Sequence, residues 1–324
     1  MPLKSKGRLG SAGIVGSRGF IGSYLTGYLM AREFGSIRLL IRNTAEYESP
    51  ERANVFSGDL LSRRDCEMFA DGLGLIHYLA HVNAPVNSDL DLAKDASLNL
   101  VPLLNLLDAI QHLKTKPHIV YFSSGGAVYA PRNDRVPYRE TDPCCPLSSY
   151  GIQKLAAEEY LRLAASKGHL TATILRVGNA YGTLLSEHRM QGLIGVTIRR
   201  LLDGQPIRVF GNPNNVRDYV HLEDICSMAE LASIPRREFS IVNVGTGRGY
   251  SVTDVLGLIE DSYGRPLTVQ RDESCGKELA DWVVLDNTRA RREFGWLPTI
   301  DLRCGIQKIL SEWKAPSAAA GATR

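Results

Sequence analysis

The chain is short of several things that would settle its class at once. No stretch of about 18 consecutive apolar residues occurs among its 324 positions, so no segment reads as a membrane-spanning helix. Neither sign of charge is in excess. Lys+Arg 38 against Asp+Glu 35 leaves +3, too near balance to argue for nucleic acid. The six cysteines (Cys66, Cys144, Cys145, Cys226, Cys275 and Cys304) show no C-x-x-C spacing, which speaks against a metal or redox motif. They read as reduced thiols of a cytoplasmic protein, each packed in the interior. The opening residues, MPLKSKGRLG, hold no apolar core of signal-peptide length. What remains, at 44% hydrophobic content, is enough for one large α/β domain or a large domain plus a small one.

The most informative stretch is IVGSRGFIGSYL, Ile14 to Leu25, followed by IRLLIRN, Ile37 to Asn43. Gly16, Gly19 and Gly22 stand three apart between a short apolar run and a helix-like pattern that begins with Phe20 and Ile21. Glycine lets the backbone turn sharply and approach a pyrophosphate, and the helix behind it offers free N–H groups and a positive dipole end. In the usual dinucleotide fingerprint an acidic side chain about 20 residues on holds the ribose 2′-hydroxyl. Here Ile41 and Arg42 fill that place, and Arg18 lies inside the loop. An arginine suits a 2′-phosphate and cannot accept a hydroxyl proton. The expected cofactor is NADP(H), with NAD(H) as the alternative.

Strand-like and helix-like segments alternate along the first half. Strands are expected near 8–15, 36–41, 53–57, 74–80, 117–123 and 170–176. Helices are expected near 20–34, 62–71, 92–113, 148–167, 189–204, 222–233 and 251–263. This alternation argues for an α/β fold, a doubly wound parallel sheet whose strands all end on one ligand-binding edge. Beyond Gly178 the regularity fades and turn signals such as Gly211-Asn212-Pro213-Asn214-Asn215 appear. The expected division is a cofactor domain over 1–177, to which some later segments return, a smaller substrate lobe over 178–313, and a small, polar, disordered tail over 314–324.

Tyr150 and Lys154, in Ser149-Tyr150-Gly151-Ile152-Gln153-Lys154, are four apart at the head of a helix, which puts both on one face. A free phenol titrates near 10 and is a poor acid at neutral pH. A neighbouring ammonium, with a positive nicotinamide, favours the phenolate and brings it toward the working range. Tyr150 then exchanges a proton with a sugar oxygen while hydride moves at the same carbon. A surface helix with an incidental Y-x-x-x-K is the competing reading. The preceding dinucleotide pattern and the strand ending in Ser123-Ser124 count against it.

With these residues in order, the chain resembles the extended short-chain dehydrogenase/reductase family, which includes nucleotide-sugar epimerases, dehydratases and reductases. GSRGFIG at 16–22, YFSSGGAVY at 121–129, YGIQK at 150–154 and VRDYVHLEDI at 216–225 carry the likeness, with LRVGNAYG at 175–182 and VNVGTG at 242–247 in support. It spans about residues 8 to 312. It implies a Rossmann-type sheet with a smaller α/β substrate-binding lobe, a nucleotide-sugar substrate and a homodimer formed through helices near 92–113 and 148–167. By the same resemblance Asp59, in Gly58-Asp59-Leu60, approaches the adenine edge. Ala80 and His81 line the nicotinamide side, and Asn99 stabilises backbone near the site. Lys154 also binds the nicotinamide ribose, and Asn179 and Arg217 grip the substrate diphosphate, a task suited to a guanidinium. An ion pair with Asp218 is the plainer reading of Arg217, and His221 is expected to orient backbone or pack.

Two departures stand out. The family places a catalytic Ser or Thr three residues before the Val of V-Y; here that is Gly125, and Ala127 stands where relatives with SSGG carry Thr. Ser124 is the nearest hydroxyl left, and it is assigned the role, for catalysis and substrate binding alike. The stretch 277–283, where relatives read uridine with Arg or Tyr, offers only Lys277 and Trp282. The leading expectation is an NADPH-dependent reductase of a nucleotide-linked 4-keto-(6-deoxy) sugar, with hydride to C4 and Tyr150 as proton donor. A nucleotide-sugar 4-epimerase is the alternative. A dehydratase lacks its acid/base pair at Gly126-Ala127, and a non-enzymatic NADP(H)-binding regulator sits poorly with an intact Tyr150 and Lys154.

Overall fold

Short apolar runs bounded by glycine, asparagine or proline become central strands here, because a strand covered on both faces needs no alternation. A computed structural model of the chain describes residues 11–314 apart from 33, 46, 48–49, 51–52, 83–87, 185–191 and 273–279. The strands are β1 (Ala12–Val15), β2 (Ile37–Ile41), β3 (Ala53–Ser57), β4 (Leu75–Tyr78), β5 (His118–Ser124), β6 (Thr171–Val177), β7 (Asn179–Tyr181), β8 (Ile207–Phe210), β9 (Val216–His221), β10 (Phe239–Val244), β11 (Gly249–Ser251), β12 (Val269–Asp272) and β13 (Trp282–Val283). Seven of them form a parallel sheet in the order β10-β6-β5-β4-β1-β2-β3. The order reverses beside β1, so the crevice outside β1 and β4 is where ligands of such sheets bind.

The helices are α1 (Phe20–Ala31), α2 (Arg63–Ala70), α3 (Leu92–Asn99), α4 (Val101–Ile110), α5 (Ser149–Ser166), α6 (Leu193–Leu202), α7 (Leu222–Ala232), α8 (Val252–Tyr263) and α9 (Leu302–Lys314). Side chains capping their first turns fix several starts: Ser62 for α2, Asp91 for α3, Ser148 for α5, His221 for α7, and a capping box from Ser251 and Asp254 for α8. One helix was expected over 92–113. It is broken at Leu100 because Pro102, at the head of α4, has no amide to continue the ladder.

α1 and α7 cover one face of the sheet, where Leu25, Leu29, Ile225 and Met228 are fully buried against Ile14, Leu39 and Val242. α2, α4 and α5 cover the other, around Phe69, Leu106, Leu161 and Ile119. A separate core under α6, α8 and α9 joins Ile198, Ile259 and Ile306 to Tyr181 and Tyr219. A small cluster of Val128, Tyr129, Tyr138, Val283 and Leu285 lies beneath the turn after β5. Among the described residues no helix is long and apolar enough to cross a membrane. Cys66 and Cys226 are buried as expected; Cys145 and Cys304 are exposed and Cys144 half-buried, which corrects the expectation of interior packing for every thiol. Cys275, Lys277, the first ten residues and the tail beyond Lys314 lie outside the described residues.

Candidate active site

The glycine loop leaves β1 and turns back at once. Gly16 has φ +90, and a Cβ there would lie 2.7 Å from the Ala80 amide nitrogen. A Cβ at Gly22 would come within 2.1 Å of the Gly16 carbonyl oxygen, so helix α1 meets the loop backbone directly. The Gly19 amide donates to Gly16 O at 2.9 Å and closes the turn. Phe20 and Ile21 open α1 and pack half-buried against the core. Between Gly16 and Arg18 the Ser17 hydroxyl is buried with no partner among the described residues. A backbone cradle that tolerates no side chain, with an unpartnered hydroxyl inside it and a helix N-terminus behind, suits the diphosphate of a dinucleotide.

The other cofactor-side residues follow neighbouring strand ends. Arg42 comes directly after β2 and is exposed. Arg18 is exposed too, its guanidinium 6.0 Å from the centre of the Tyr47 ring. After β3 the Asp59 carboxylate accepts from the Leu61 amide at 2.9 Å, and the Asp59 amide donates to Asp65. Leu60 is buried and its carbonyl accepts from Asn105. After β4 come Ala80 and His81. Asn99, the last residue of α3, accepts from the Val82 amide at 2.7 Å and donates to Asp95, which holds the backbone after β4. The structure thus brings the loops after β1, β2, β3 and β4 to one edge.

Tyr150 and Lys154 stand on the first turns of α5, facing the end of β5. Burial pushes the Tyr150 phenol above its ordinary range, and the Ser124 side chain, close by at the end of β5, pulls it partly back. Lys154 is buried; its Nζ donates to the Phe122 carbonyl at 2.9 Å and lies 5.7 Å from the centre of the Tyr150 ring. Burial lowers the ammonium to about 8, with Glu158 opposing, so it stays largely charged at pH 7. Without the cofactor the ammonium is engaged by a backbone carbonyl, and desolvation dominates at the phenol. The His81 ring meets Tyr150 edge-on at 4.6 Å.

The lost hydroxyl at Gly125 has a structural explanation. A Cβ there would lie 2.6 Å from Leu285 Cδ1 and 2.7 Å from Cδ2. Leu285, fully buried, fills the space that a serine or threonine would need. Behind the same turn a buried polar network ties β5 to α5 and β6. Ser123 Oγ donates to Glu158 Oε1, Glu158 pairs with Arg176 at 2.6 Å, and the Arg176 guanidinium lies 4.8 Å over the Tyr129 ring. Tyr129 then donates to Asn243 at 2.6 Å.

On the substrate side, Asn179 opens β7, with its Oδ1 3.6 Å from where a Cβ on Gly126 would stand. Arg217, on β9, donates to the Val216 carbonyl at 2.8 Å, and burial pulls its guanidinium below the usual arginine range. The ion pair with Asp218 does not form. Consecutive strand residues face opposite ways, and Asp218 instead accepts from the Thr246, Gly247 and Leu285 amides and the Thr246 hydroxyl. His221 caps α7 by accepting from the Glu223 amide and packs against Tyr181, so it orients backbone as expected. Trp282 begins β13, paired with β9 beside Arg217.

Sequence reasoning missed Ser17, Tyr47, Leu285 and the Glu158–Arg176 pair. Glu158 falls one turn after Lys154 on the same helix, a spacing that was there to be read. Leu285 approaches Gly125 from across the chain, and no local pattern announces it.

Comparison with known proteins identifies the family and agrees with the fold. Residues 12–245 match the model of the NAD dependent epimerase/dehydratase family, and the chain belongs to that family. It is 30% identical over 304 residues to a putative UDP-glucose 4-epimerase of Methanocaldococcus jannaschii, covering 93% of this chain and 97% of the relative. It is 29% identical over 192 residues to a dTDP-4-dehydro-6-deoxyglucose reductase of Escherichia coli, covering 59% of this chain and 60% of the other. The crystal structure of Thermus thermophilus UDP-glucose 4-epimerase in complex with NAD superposes with a TM-score of 0.84 at 26% identity, covering 94% of this chain and 99% of that one. The protein is thus an enzyme of the NAD(P)-dependent nucleotide-sugar epimerase, dehydratase and reductase group.

Proposed function

We propose that this enzyme is an NADPH-consuming reductase of a nucleotide-linked 4-keto-(6-deoxy) hexose. The observation that carries the reading is the adenosine end of the site: Arg18 and Arg42 follow two adjacent parallel strand ends, with arginine where an acidic residue would bind a 2′-hydroxyl. The likeness to an E. coli reductase acting on a dTDP-linked keto sugar supports it.

The cofactor, when bound, supplies hydride to the sugar carbon. Everything else falls to the chain. Gly16, Gly19, Gly22 and Ser17 receive the diphosphate, and Asp59 and Leu60 border the adenine. Lys154 binds the nicotinamide ribose and keeps a positive charge near the phenol. Tyr150 donates its proton to the carbonyl oxygen, and Ser124, beside that phenol, holds the same oxygen and steadies the phenolate left behind. Asn179 and Arg217 hold the substrate diphosphate, Arg217 through a fork of donors already half-desolvated by its strand.

A second reading, a nucleotide-sugar 4-epimerase that returns the hydride to the other face, is favoured by the whole-length likeness to epimerases and by the NAD in the Thermus complex. The division into a cofactor domain over 1–177 and a substrate lobe over 178–313 belongs to the same proposal. So do a cytoplasmic location, which the free thiols support, and a homodimer. Exposed Leu92 on α3, Leu147 just before α5, and Ile152 and Leu163 on α5 support the dimer, since apolar side chains gathered on one face mark an interface.

Fluorescence titration of Arg42→Asp tests the cofactor assignment. The variant should bind NADPH at least about tenfold more weakly, with NADH changed little or tightened. An equal effect on both cofactors contradicts it.

A further inference from the structure

The segment after β4 is pinned on both sides of one residue. The Ala80 backbone lies against Gly16 with no room for a Cβ, and the Val82 amide is held by Asn99. His81 stands between these anchors, edge-on to Tyr150 with ring planes at 82°. Its Nε2 is buried and has no hydrogen-bond partner among the described residues. Two other buried groups nearby, Tyr78 Oη and His77 Nδ1, are also unpartnered, but they belong to β4 inside the helix-covered sheet. His81 differs: it stands at the carboxyl edge, in contact with the reacting phenol. Lys154 disfavours a second proton there, Asp95 favours one, and burial prevails, lowering the imidazole to about 3. A neutral ring keeps one nitrogen as donor and one as acceptor, so it bonds a hydroxyl of either polarity without adding a charge beside Lys154. Buried polar atoms are nearly always paired, and an exception at a site's edge is the kind that a ligand completes.

We infer that His81 Nε2 forms a hydrogen bond with a sugar hydroxyl of the bound ligand beside Tyr150, and so sets how the reacting carbon faces the phenol. The hydroxyl belongs to the hexose of the nucleotide sugar or to the nicotinamide ribose. The inference rests on the nucleotide-sugar reading above, but its first test needs no turnover.

Three variants separate hydrogen bonding from packing. His81→Phe keeps a ring against Tyr150 and removes both nitrogens, His81→Asn keeps a hydrogen-bonding group, and His81→Ala removes both features. Each is titrated with NADPH by fluorescence, and its NADPH complex is then titrated by calorimetry with UDP-glucose, UDP-galactose and dTDP-glucose. His81→Phe should weaken one of the two binding steps by about tenfold and leave the other within about twofold. The weakened step tells hexose from ribose, and His81→Asn should recover part of the loss. If His81→Phe melts like the wild type and binds both ligands within twofold of it, the inference is overturned. Should His81→Phe not fold, His81→Asn is compared with His81→Ala: tighter binding by the asparagine supports the bond, and equal binding overturns it. A wild type that binds these nucleotide sugars without consuming NADPH defeats the reductase reading alone. A wild type that binds none of them leaves the NADPH titration to decide, with unchanged affinity in His81→Phe counting against His81.

Discussion

At the scale of single residues, the proposed proton handling turns on the pair Ser124 and Gly125. Leu285 occupies the room a hydroxyl-bearing side chain would take at 125, while Ser124, one position earlier, lies beside the phenol. Ser124→Ala should lower kcat/KM by about a hundredfold and leave the fold intact, because it removes a hydrogen bond that strengthens as charge develops. Gly125→Ser alone should destabilise by about 1–3 kcal/mol through overpacking against Leu285. The triple variant Ser124→Ala, Gly125→Ser, Leu285→Ala should recover part of the lost rate, since it opens the space and moves the hydroxyl to the position relatives use. Steady-state kinetics with denaturant melts check all three; full activity in Ser124→Ala removes the hydroxyl from the mechanism. The sequence showed that a hydroxyl was missing but not why. The reason lies in a leucine 160 positions downstream of the glycine.

Elements explain why the proposed catalytic pair stays in place. β5, α5 and β6 are joined inside the protein by Ser123, Glu158 and Arg176, all three buried. A buried ion pair adds little net stability over apolar packing, but losing one member strands the other charge. Glu158→Gln should therefore cost about 3–5 kcal/mol in urea unfolding, and Glu158→Met with Arg176→Met much less. Equal losses for the single and double variants contradict the pairing. Most elements were legible from period and flanking turns, because β1, β2, β4, β5 and β6 are short, mostly buried runs bounded by helices or turns. The exceptions follow from physics that patterns do not carry. Pro102 divides a helix whose apolar period runs on across it, and the strands β7 to β13 pair over long separations. α9, whose apolar face packs under α8, went unread. The glycine loop and the Tyr150–Lys154 face were readable because both are local spacings. Asn179 and Arg217 were named only through resemblance.

For the whole molecule, three histidines, His77 and His118 buried and His81 half-buried, predict sensitivity to acid. Burial holds His77 and His81 near about 3 and His118 near about 4, whereas the unfolded chain binds their protons near 6.5. Unfolding therefore takes up protons below pH 6.5. The neutral histidines leave stability intact above that pH, and stability falls as pH drops toward the folded values. The expected loss is on the order of 1 kcal/mol per histidine for each pH unit between 6.5 and 4.5. Urea unfolding at pH 7.5 and 5.5 measures it, and equal free energies at the two pH values would rule it out.

The same molecule sets two chemistries against each other: a shared fold with epimerases and a cofactor end built from arginines. The most direct measurement mixes the purified enzyme with NADPH and a panel of 4-keto nucleotide sugars, and follows absorbance at about 340 nm together with product. The account predicts one NADPH oxidised for each keto sugar reduced, with the reaction abolished in Tyr150→Phe. Interconversion of two nucleotide hexoses with no net loss of reduced cofactor would contradict it.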